Sequence, residues 1–411
     1  MAEKRRAYPK NTVSKSKYGS SSRPPQKVQH STKQSGKNGG LLSSILKKQQ
    51  ELDFTFLTLV IVIICFGIIM VFSASAPKSL RMYGNSYNFV KKQLIFAVLG
   101  FVGLIALSKV EYQRLKKYTR IIMIGCIVLM ALVFIPGLGV EHNGARRWLN
   151  FGIEIQPSEF MKPAIALFIA GEIDARRYNP RKLLETFKVF IWIGVVAILM
   201  FLQPHVSGAV VICGIAGVVM ICSGINLKHL FGCAGAVLPF GVLYVAMDSV
   251  RRTRVLTALN PFADSQNAGY QVIQGLYAIA SGGIFGRGLG QSIQKRTFLP
   301  EPYNDYIFAV ICEELGLIGA IMVIVLFAVL IIRGISIALN APDLFGTLIV
   351  VGFMAQISIQ TILNILVVTA VIPNTGMTLP FFSYGGSALL VLMLEMGVVL
   401  NVSRQRIRNR V

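Results

Sequence analysis

The sequence predicts an all-α polytopic membrane protein: ten transmembrane helices, with a long extracytoplasmic loop between the seventh and the eighth. Three observations carry this expectation. Apolar runs near twenty residues recur along most of the 411-residue chain, each long enough to cross a hydrocarbon core of ~30 Å as a helix. Charged residues make up 14% of the chain and mean hydropathy is +0.62, whereas soluble domains carry about 25% charged residues. The apolar runs do not alternate with polar residues, as the strands of a membrane barrel would.

The elements follow in order. Residues 1–50 are rich in Ser, Gln, Gly and Pro and have no apolar period, the composition of a disordered tail. Their basic residues, from Lys4 to Lys48, face almost no acid. Much of the +23 net charge therefore lies in this tail rather than on a folded patch. It reads as a cytoplasmic topology determinant attracted to anionic lipid, and no nucleic-acid partner is expected. No short apolar stretch with a small-residue cleavage site follows early, so the tail does not read as a signal peptide. The membrane domain, 51–403, carries spans expected at 54–76, 90–109, 118–137, 158–174, 186–203, 206–223, 227–247, 306–333, 343–370 and 380–402. The fourth is short and contains Lys162 and Pro163. With the tail inside, the inner loops carry Lys109 to Arg120, then Arg176 to Lys182, Lys228 and Arg333; the basic tail 404–411 closes the positive-inside pattern. Both termini are thus expected in the cytoplasm. The six cysteines fall inside the spans without metal-ligand spacing and read as packing residues.

Two outer loops break the charge rule. Residues 138–157 contain Arg146 and Arg147; the long loop, 248–304, contains Arg251, Arg252, Arg254, Arg287, Lys295 and Arg296. A large anionic ligand on that face would account for them, since Arg bonds phosphate bidentately; simple solvation of long loops is the alternative. Within the long loop, 271–279 has the pattern of a short amphipathic helix lying in the interface.

Asp305, at the junction of the long loop and the eighth span, is the leading chemical candidate. Two readings stand: a general base or cation ligand at the membrane surface, or a helix N-cap. Glu301, held between Pro300 and Pro302, is either a second acid sharing a proton or metal with Asp305, or a solvated loop acid. Glu313, Glu314 and Glu395 lie within spans, where ionisable groups need a partner or a cavity. Lys162 either pairs with Glu159 three residues back or faces a pyrophosphate. The Gly- and Pro-containing segment 373–387 is either broken backbone lining a site or a tight loop before the last span.

Ordered blocks along 54–402 resemble the SEDS family, the group of FtsW, RodA and SpoVE: Asn143-Gly144-Ala145-Arg146-Arg147-Trp148, Gln156-Pro157-Ser158-Glu159-Phe160-Met161-Lys162, the glycine-rich 283–290, Leu299-Pro300-Glu301 with Asp305-Tyr306, Glu313-Glu314-Leu315-Gly316, and Leu379-Pro380 through Ser387. Thr378-Leu379-Pro380 and Ser73-Ala74-Ser75 look closest to the FtsW/SpoVE branch. The resemblance implies an inverting peptidoglycan glycosyltransferase that polymerises lipid II at the outer face of the bacterial cytoplasmic membrane, in septal wall synthesis. It implies Asp305 as the required acid, with a divalent cation (Mg or Mn) beside it. Arg147 and Lys162 are implicated with it, and Glu301, Arg287 and Ser383 from the same blocks are further substrate-binding candidates. Implied partners are lipid II, the lipid-linked glycan strand, a class B penicillin-binding protein transpeptidase and other divisome proteins. A lipid II flippase and a scaffold for the transpeptidase are the rival readings. One departure stands out: after Gln203-Pro204 the family usually has Asp-Leu-Gly, and here stand His205, Val206 and Ser207.

Overall fold

Apolar runs that cannot leave their amides unpaired in lipid must close their hydrogen bonds locally, and here they do so as helices. The computed structural model describes residues 52–142, 144–175 and 182–405. The tail 1–50, the basic residues Arg176, Arg177 and Arg181, and the end of the tail 404–411 (from residue 406) lie outside the described residues.

Helices stand at each of the ten expected positions: α1 (Phe54–Tyr83), α2 (Asn88–Lys109), α3 (Thr119–Leu132), α4 (Pro157–Asp174), α5 (Leu183–Leu202), α6 (Val206–Cys222), α7 (Leu227–Met247), then α11 (Ile307–Leu339), α12 (Leu344–Val368) and α13 (Gly386–Gln405). Six of them, α1, α2, α5, α11, α12 and α13, are long and apolar enough to cross a membrane on their own, and α3 and α6 are shorter apolar helices. The chain is a multi-pass membrane protein. At one end of the bundle Asp53 caps α1 through the Phe56 amide (3.0 Å) and pairs with Arg333 of α11 (2.8 Å), and Asp343 caps α12 through the Gly346 amide (2.7 Å). The Arg120–Glu172 pair ties α3 to α4 at the same end.

The opposite end, expected to face outward, departs from the sequence reading in three places. Residues 139–155 form a three-stranded antiparallel ribbon, β1 (Gly139–His142), β2 (Ala145–Asn150) and β3 (Glu154–Ile155), in the order β1-β2-β3. The long loop is largely helical: α8 (Ser249–Leu259), a 3-10 turn, α9 (Tyr270–Gly282) and the single turn α10 (Gln294–Thr297). Of these only α9 matches an expected helix. The last span starts at Gly386 rather than residue 380, because 370–385 is irregular backbone. Phe381 is left-handed there (φ 63°), and its carbonyl comes so close to Gly67 of α1 that any larger residue at 67 would collide with it. The Phe382 ring packs edge-on against Phe66 at 5.2 Å, so this segment dips into the bundle.

The α11 helix is broken at Gly316 (φ 65°, ψ −164°), a conformation open essentially to glycine alone. The glycine-rich loop after α9 docks into the break. The amides of Arg287 and Gly288 donate to the carbonyls of Glu313 and Glu314 (2.9 Å each), and the amides of Leu317 and Ile318 donate to the carbonyls of Gly283 and Ile284 (2.9 and 3.3 Å). The lost helical bonds are thereby replaced. All six cysteines are free thiols; Cys126 and Cys312 are buried as packing residues, whereas Cys65, Cys213 and Cys222 are exposed on the bundle's outer surface.

Candidate functional site

Asp305 precedes the N-cap of α11, which is Tyr306, and Tyr306 makes no side-chain cap bond. No side chain bonds the Asp305 carboxylate among the described residues. The capping reading therefore fails. The backbone around it is fixed instead: three successive carbonyls each accept from a different donor. The Tyr384 amide donates to Tyr303 (2.8 Å), the Ser383 hydroxyl to Asn304 (2.6 Å) and the Asn364 amide group to Asp305 (2.8 Å). Ser383 also accepts from the Leu379 amide (2.8 Å). The irregular segment 370–385 and α12 thus hold one carboxylate in place without neutralising it.

Burial raises the Asp305 carboxyl from its ordinary 3.8 to about 6; its own backbone amide opposes this, Glu301 adds to it and Arg254 works against it. Glu301 is itself held left-handed (φ 45°) between its two prolines. Its carboxylate accepts from the Asn304 amide group at 2.7 Å and faces Lys78 of α1 at 3.5 Å. Among the described residues no group of three or more His, Cys, Asp or Glu converges as a metal cage. Asp305 and Glu301 offer carboxylate oxygens alone, which suits a cation that draws its remaining ligands from a phosphate-bearing substrate and water.

Basic residues gather beside this acid. Arg147, on β2, donates to the carbonyls of Gln203 and Pro204 at the α5–α6 turn. Burial together with Arg254 and Arg251 lowers its pKa, so three guanidiniums share this face. His205 is buried there, and burial with Arg147 and Lys162 pushes it down to about 3, leaving a neutral imidazole at physiological pH. Arg254 reaches the Asn374 carbonyl at 3.5 Å, and the Asn374 amide group donates to Gln271 of α9 (2.8 Å). Between α8, α9 and this loop opens a cleft of about 500 Å³ bounded by Arg254, Gln271, Pro300 and Asn374. Arg251 and Arg254 were visible in the sequence only as misplaced basic residues; α8 and the 374 loop bring Arg254 within electrostatic reach of Asp305, whereas Arg251 pairs with Asp248 at 2.8 Å.

Two sequence candidates stand elsewhere. Lys162 is 2% exposed and bonds both oxygens of Glu159 at 2.7 Å, which is the pairing alternative. Glu395 of α13 joins this interior cluster beside Lys162 and Gln356, and neither of its oxygens meets hydrogen-bond geometry among the described residues. Arg287 belongs to a second cluster at the broken helix, where it lies 4.0 Å from Glu313. There Glu313 accepts from the Ile293 amide (2.8 Å) at the start of α10, and Glu314 pairs with Lys295 and accepts from Ser73 of α1 (2.7 Å). This buried set fastens α10 to α1 and α11. Of the sequence candidates, Asp305, Glu301 and Ser383 form one constellation, with Arg147 on the same electropositive face.

Comparisons with known proteins agree with one another. The family model described as "Cell cycle protein", for FtsW, RodA and SpoVE, matches residues 53–408. Stage V sporulation protein E of Bacillus subtilis is 40% identical over 360 residues, covering 87% of this chain and 98% of the relative. Probable peptidoglycan glycosyltransferase FtsW of Geobacter metallireducens is 37% identical, covering 87% and 96%. A chain from a structure described as the structural coordination of polymerization and crosslinking by a peptidoglycan synthase complex superimposes with TM-score 0.72 at 29% identity, covering 87% and 99%. The crystal structure of the rod shape determining protein RodA of Thermus thermophilus gives TM-score 0.65 at 26% identity, covering 87% and 98%. Matched along the whole membrane domain and nearly end to end with its relatives, the chain belongs to the FtsW/RodA/SpoVE family, on its FtsW/SpoVE branch.

Proposed function

We propose that this chain is a peptidoglycan glycosyltransferase that polymerises lipid II at the outer face of the bacterial cytoplasmic membrane, in septal wall synthesis beside a class B penicillin-binding protein and other divisome proteins. The observation that carries the reading is Asp305: a carboxylate clamped through its backbone, bonded by no other side chain among the described residues, and raised to about 6, close to the operating pH that a general base needs. The relatives' names supply the reaction class.

In the reaction, the 4-hydroxyl oxygen of the acceptor GlcNAc forms a bond to C1 of the donor MurNAc as the C1–O bond to the pyrophosphate breaks. The hydroxyl proton passes to Asp305. Attack opposite the leaving group converts the α-linked anomer to β. Arg147, Arg251 and Arg254 balance the charge that develops on undecaprenyl pyrophosphate. Asp305 and Glu301 are the residues that would hold a Mg or Mn ion, with the pyrophosphate completing its ligands. Such an ion supplies charge neutralisation at the leaving group. Ser383 acts on Asp305 through the backbone. Lys162 and Arg287 stand outside this constellation, and contact between either one and substrate would require rearrangement.

A second reading, lipid II transport, draws on Lys162, Glu159 and Glu395 buried within the spans. One experiment separates the two. Wild type and Asp305→Asn are purified with a matched class B partner and incubated with lipid II and Mg or Mn. Glycan ladders from wild type and none from the variant are expected. Equal ladders would move the chemistry away from Asp305. Transbilayer movement of labelled lipid II without any ladder would favour the transporter.

A further inference from the structure

Arg287, Lys295 and Arg296 break the charge rule in the sequence, and the reaction above leaves them unused. Their depth in the bundle indicates what they face. Asp53 and Arg333 pair at one end of α1 and α11, and Ser73 bonds Glu314 (2.7 Å) further along the same two helices. Ser73 lies 20 residues from Asp53, and Glu314 lies 19 residues from Arg333. At ~1.5 Å per residue both intervals come to about 30 Å, the thickness of a hydrocarbon core. Glu313 and Glu314 therefore mark the far edge of that core, and Asp305 lies about 12 Å beyond it along α11.

The glycine-rich loop is fastened at this edge, because its backbone bonds Glu313, Glu314, Leu317 and Ile318. The Ile284 carbonyl accepts from the Ile318 amide, so Ile284 and Phe285 stand on the core side of the glutamates. The Arg287 amide donates to Glu313, which places Arg287 level with the edge itself. Phe285 is 81% exposed and Ile284 60%. So bare an apolar pair is costly in water and costs nothing among acyl chains. Leu317 and Ile318, also exposed, continue the apolar surface along α11.

Charge supplies the other half of the pattern. Arg81, Arg287, Lys295 and Arg296 meet only two acids here, Glu313 and Glu314. Lys295 is buried against Glu314, whereas the three arginines are exposed. Arg81 donates to the Arg296 carbonyl and Arg296 to the Gln291 side chain (3.3 Å); neither pairs with an acid among the described residues. A net positive patch thus sits directly above bare apolar side chains. A phospholipid matches both halves, with its phosphate on guanidinium and its acyl chains on Phe285 and Ile284. A soluble anion would use the charges and leave the apolar half in water.

We propose that residues 283–296 dip into the membrane leaflet at the Asp305 end and, with Arg81, bind the phosphate of an anionic phospholipid, phosphatidylglycerol being the probe of choice. The inference is independent of the glycosyltransferase reading, which concerns the separate site at Asp305. Its test places Phe285→Trp in the full chain, reconstituted in vesicles of phosphatidylcholine and phosphatidylglycerol with brominated acyl chains on one lipid at a time. Trp148 and Trp192 give the background, measured in the unsubstituted chain. At equal mole fraction, brominated phosphatidylglycerol should quench the reporter more than brominated phosphatidylcholine. That preference should fall about fivefold for each of Arg287→Gln and Arg296→Gln at an unchanged melting temperature, and Arg287→Lys should largely retain it. Equal quenching by both lipids, or none by either, would overturn the site. Displacement of phosphatidylglycerol by a small excess of undecaprenyl phosphate would overturn it in favour of the polyprenyl substrate. Loss of quenching on adding the class B partner would overturn it in favour of a protein contact.

Discussion

Replacing Asp305 by Asn should stabilise the protein while abolishing its activity. Burial raises the carboxyl from 3.8 to about 6. At about 1.4 kcal/mol for each pH unit, the native state therefore disfavours the charged form by about 3 kcal/mol relative to the unfolded chain. The sign follows from the direction of the change. A carboxyl raised on folding binds its proton more tightly in the native state, so native stability falls as pH climbs from 3.8 to about 6 and is level above that. Asparagine keeps the shape and carries no charge. It should gain up to about 3 kcal/mol at pH 7.5 and nothing below pH 4. The assay is thermal unfolding of both proteins in one detergent between pH 3.5 and 8. An Asn variant that melts below wild type at pH 7.5, or a difference that ignores pH, would refute the reasoning. The same titration governs rate: wild-type polymerisation should drop about tenfold for each pH unit below 6.

Four further outcomes follow from the geometry. Ser383→Ala removes the donor to the Asn304 carbonyl; kcat should fall about tenfold with KM little changed, at a stability cost of about 1 kcal/mol, read from steady-state kinetics beside a melting curve. Gly316→Ala forces a side chain onto φ 65° against the backbone of Gly286 and Ile284, and should cost about 2 kcal/mol or more in thermal unfolding. Lys295→Met strands Glu314 in the interior and should cost about 3–5 kcal/mol, whereas Lys295→Met with Glu314→Gln should cost less; a double-mutant cycle measures the coupling. Glu395→Leu removes two buried oxygens that meet no hydrogen-bond geometry among the described residues and should leave the melting temperature unchanged or raised, with a clear drop arguing that the neighbouring Gln356 satisfies the carboxylate.

Hydropathy made the ten helix positions legible because lipid demands continuous apolar runs, and α1 and α11 are the plainest cases. It could not show the break at Gly316, since a dihedral angle leaves no mark on an apolar run. The α8 helix escaped because Arg251, Arg252 and Arg254 interrupt it, and the ribbon because strands of two to six residues carry little periodicity. Asp305 was readable as an acid placed where a loop meets a span. Its clamp was not, because the donors Asn364, Ser383 and Tyr384 come from 59 to 81 residues away. For Lys162 the spacing to Glu159 already contained the pairing that the structure shows, but spacing alone could not say whether a ligand took that place.

The contrast among the helices bears on how the protein is made. Mean hydropathy over the most apolar window is 3.0 for α1 and 3.2 for α11, but 1.8 for α12 and α13, which are also the most buried of the six long apolar helices. Gln356, Gln360 and Asn364 lie along one side of α12, and Glu395 interrupts α13. Each such residue weakens a helix's own preference for lipid as it leaves the translocon. The first helix enters the bilayer on its own merits, whereas the last two gain most when the helices they pack against already stand there, chiefly α2 for α13 and α11, α6 and α4 for α12. Synthesis from the N-terminus delivers the helices in that order, so the late, least apolar segments insert against finished protein rather than into bare lipid.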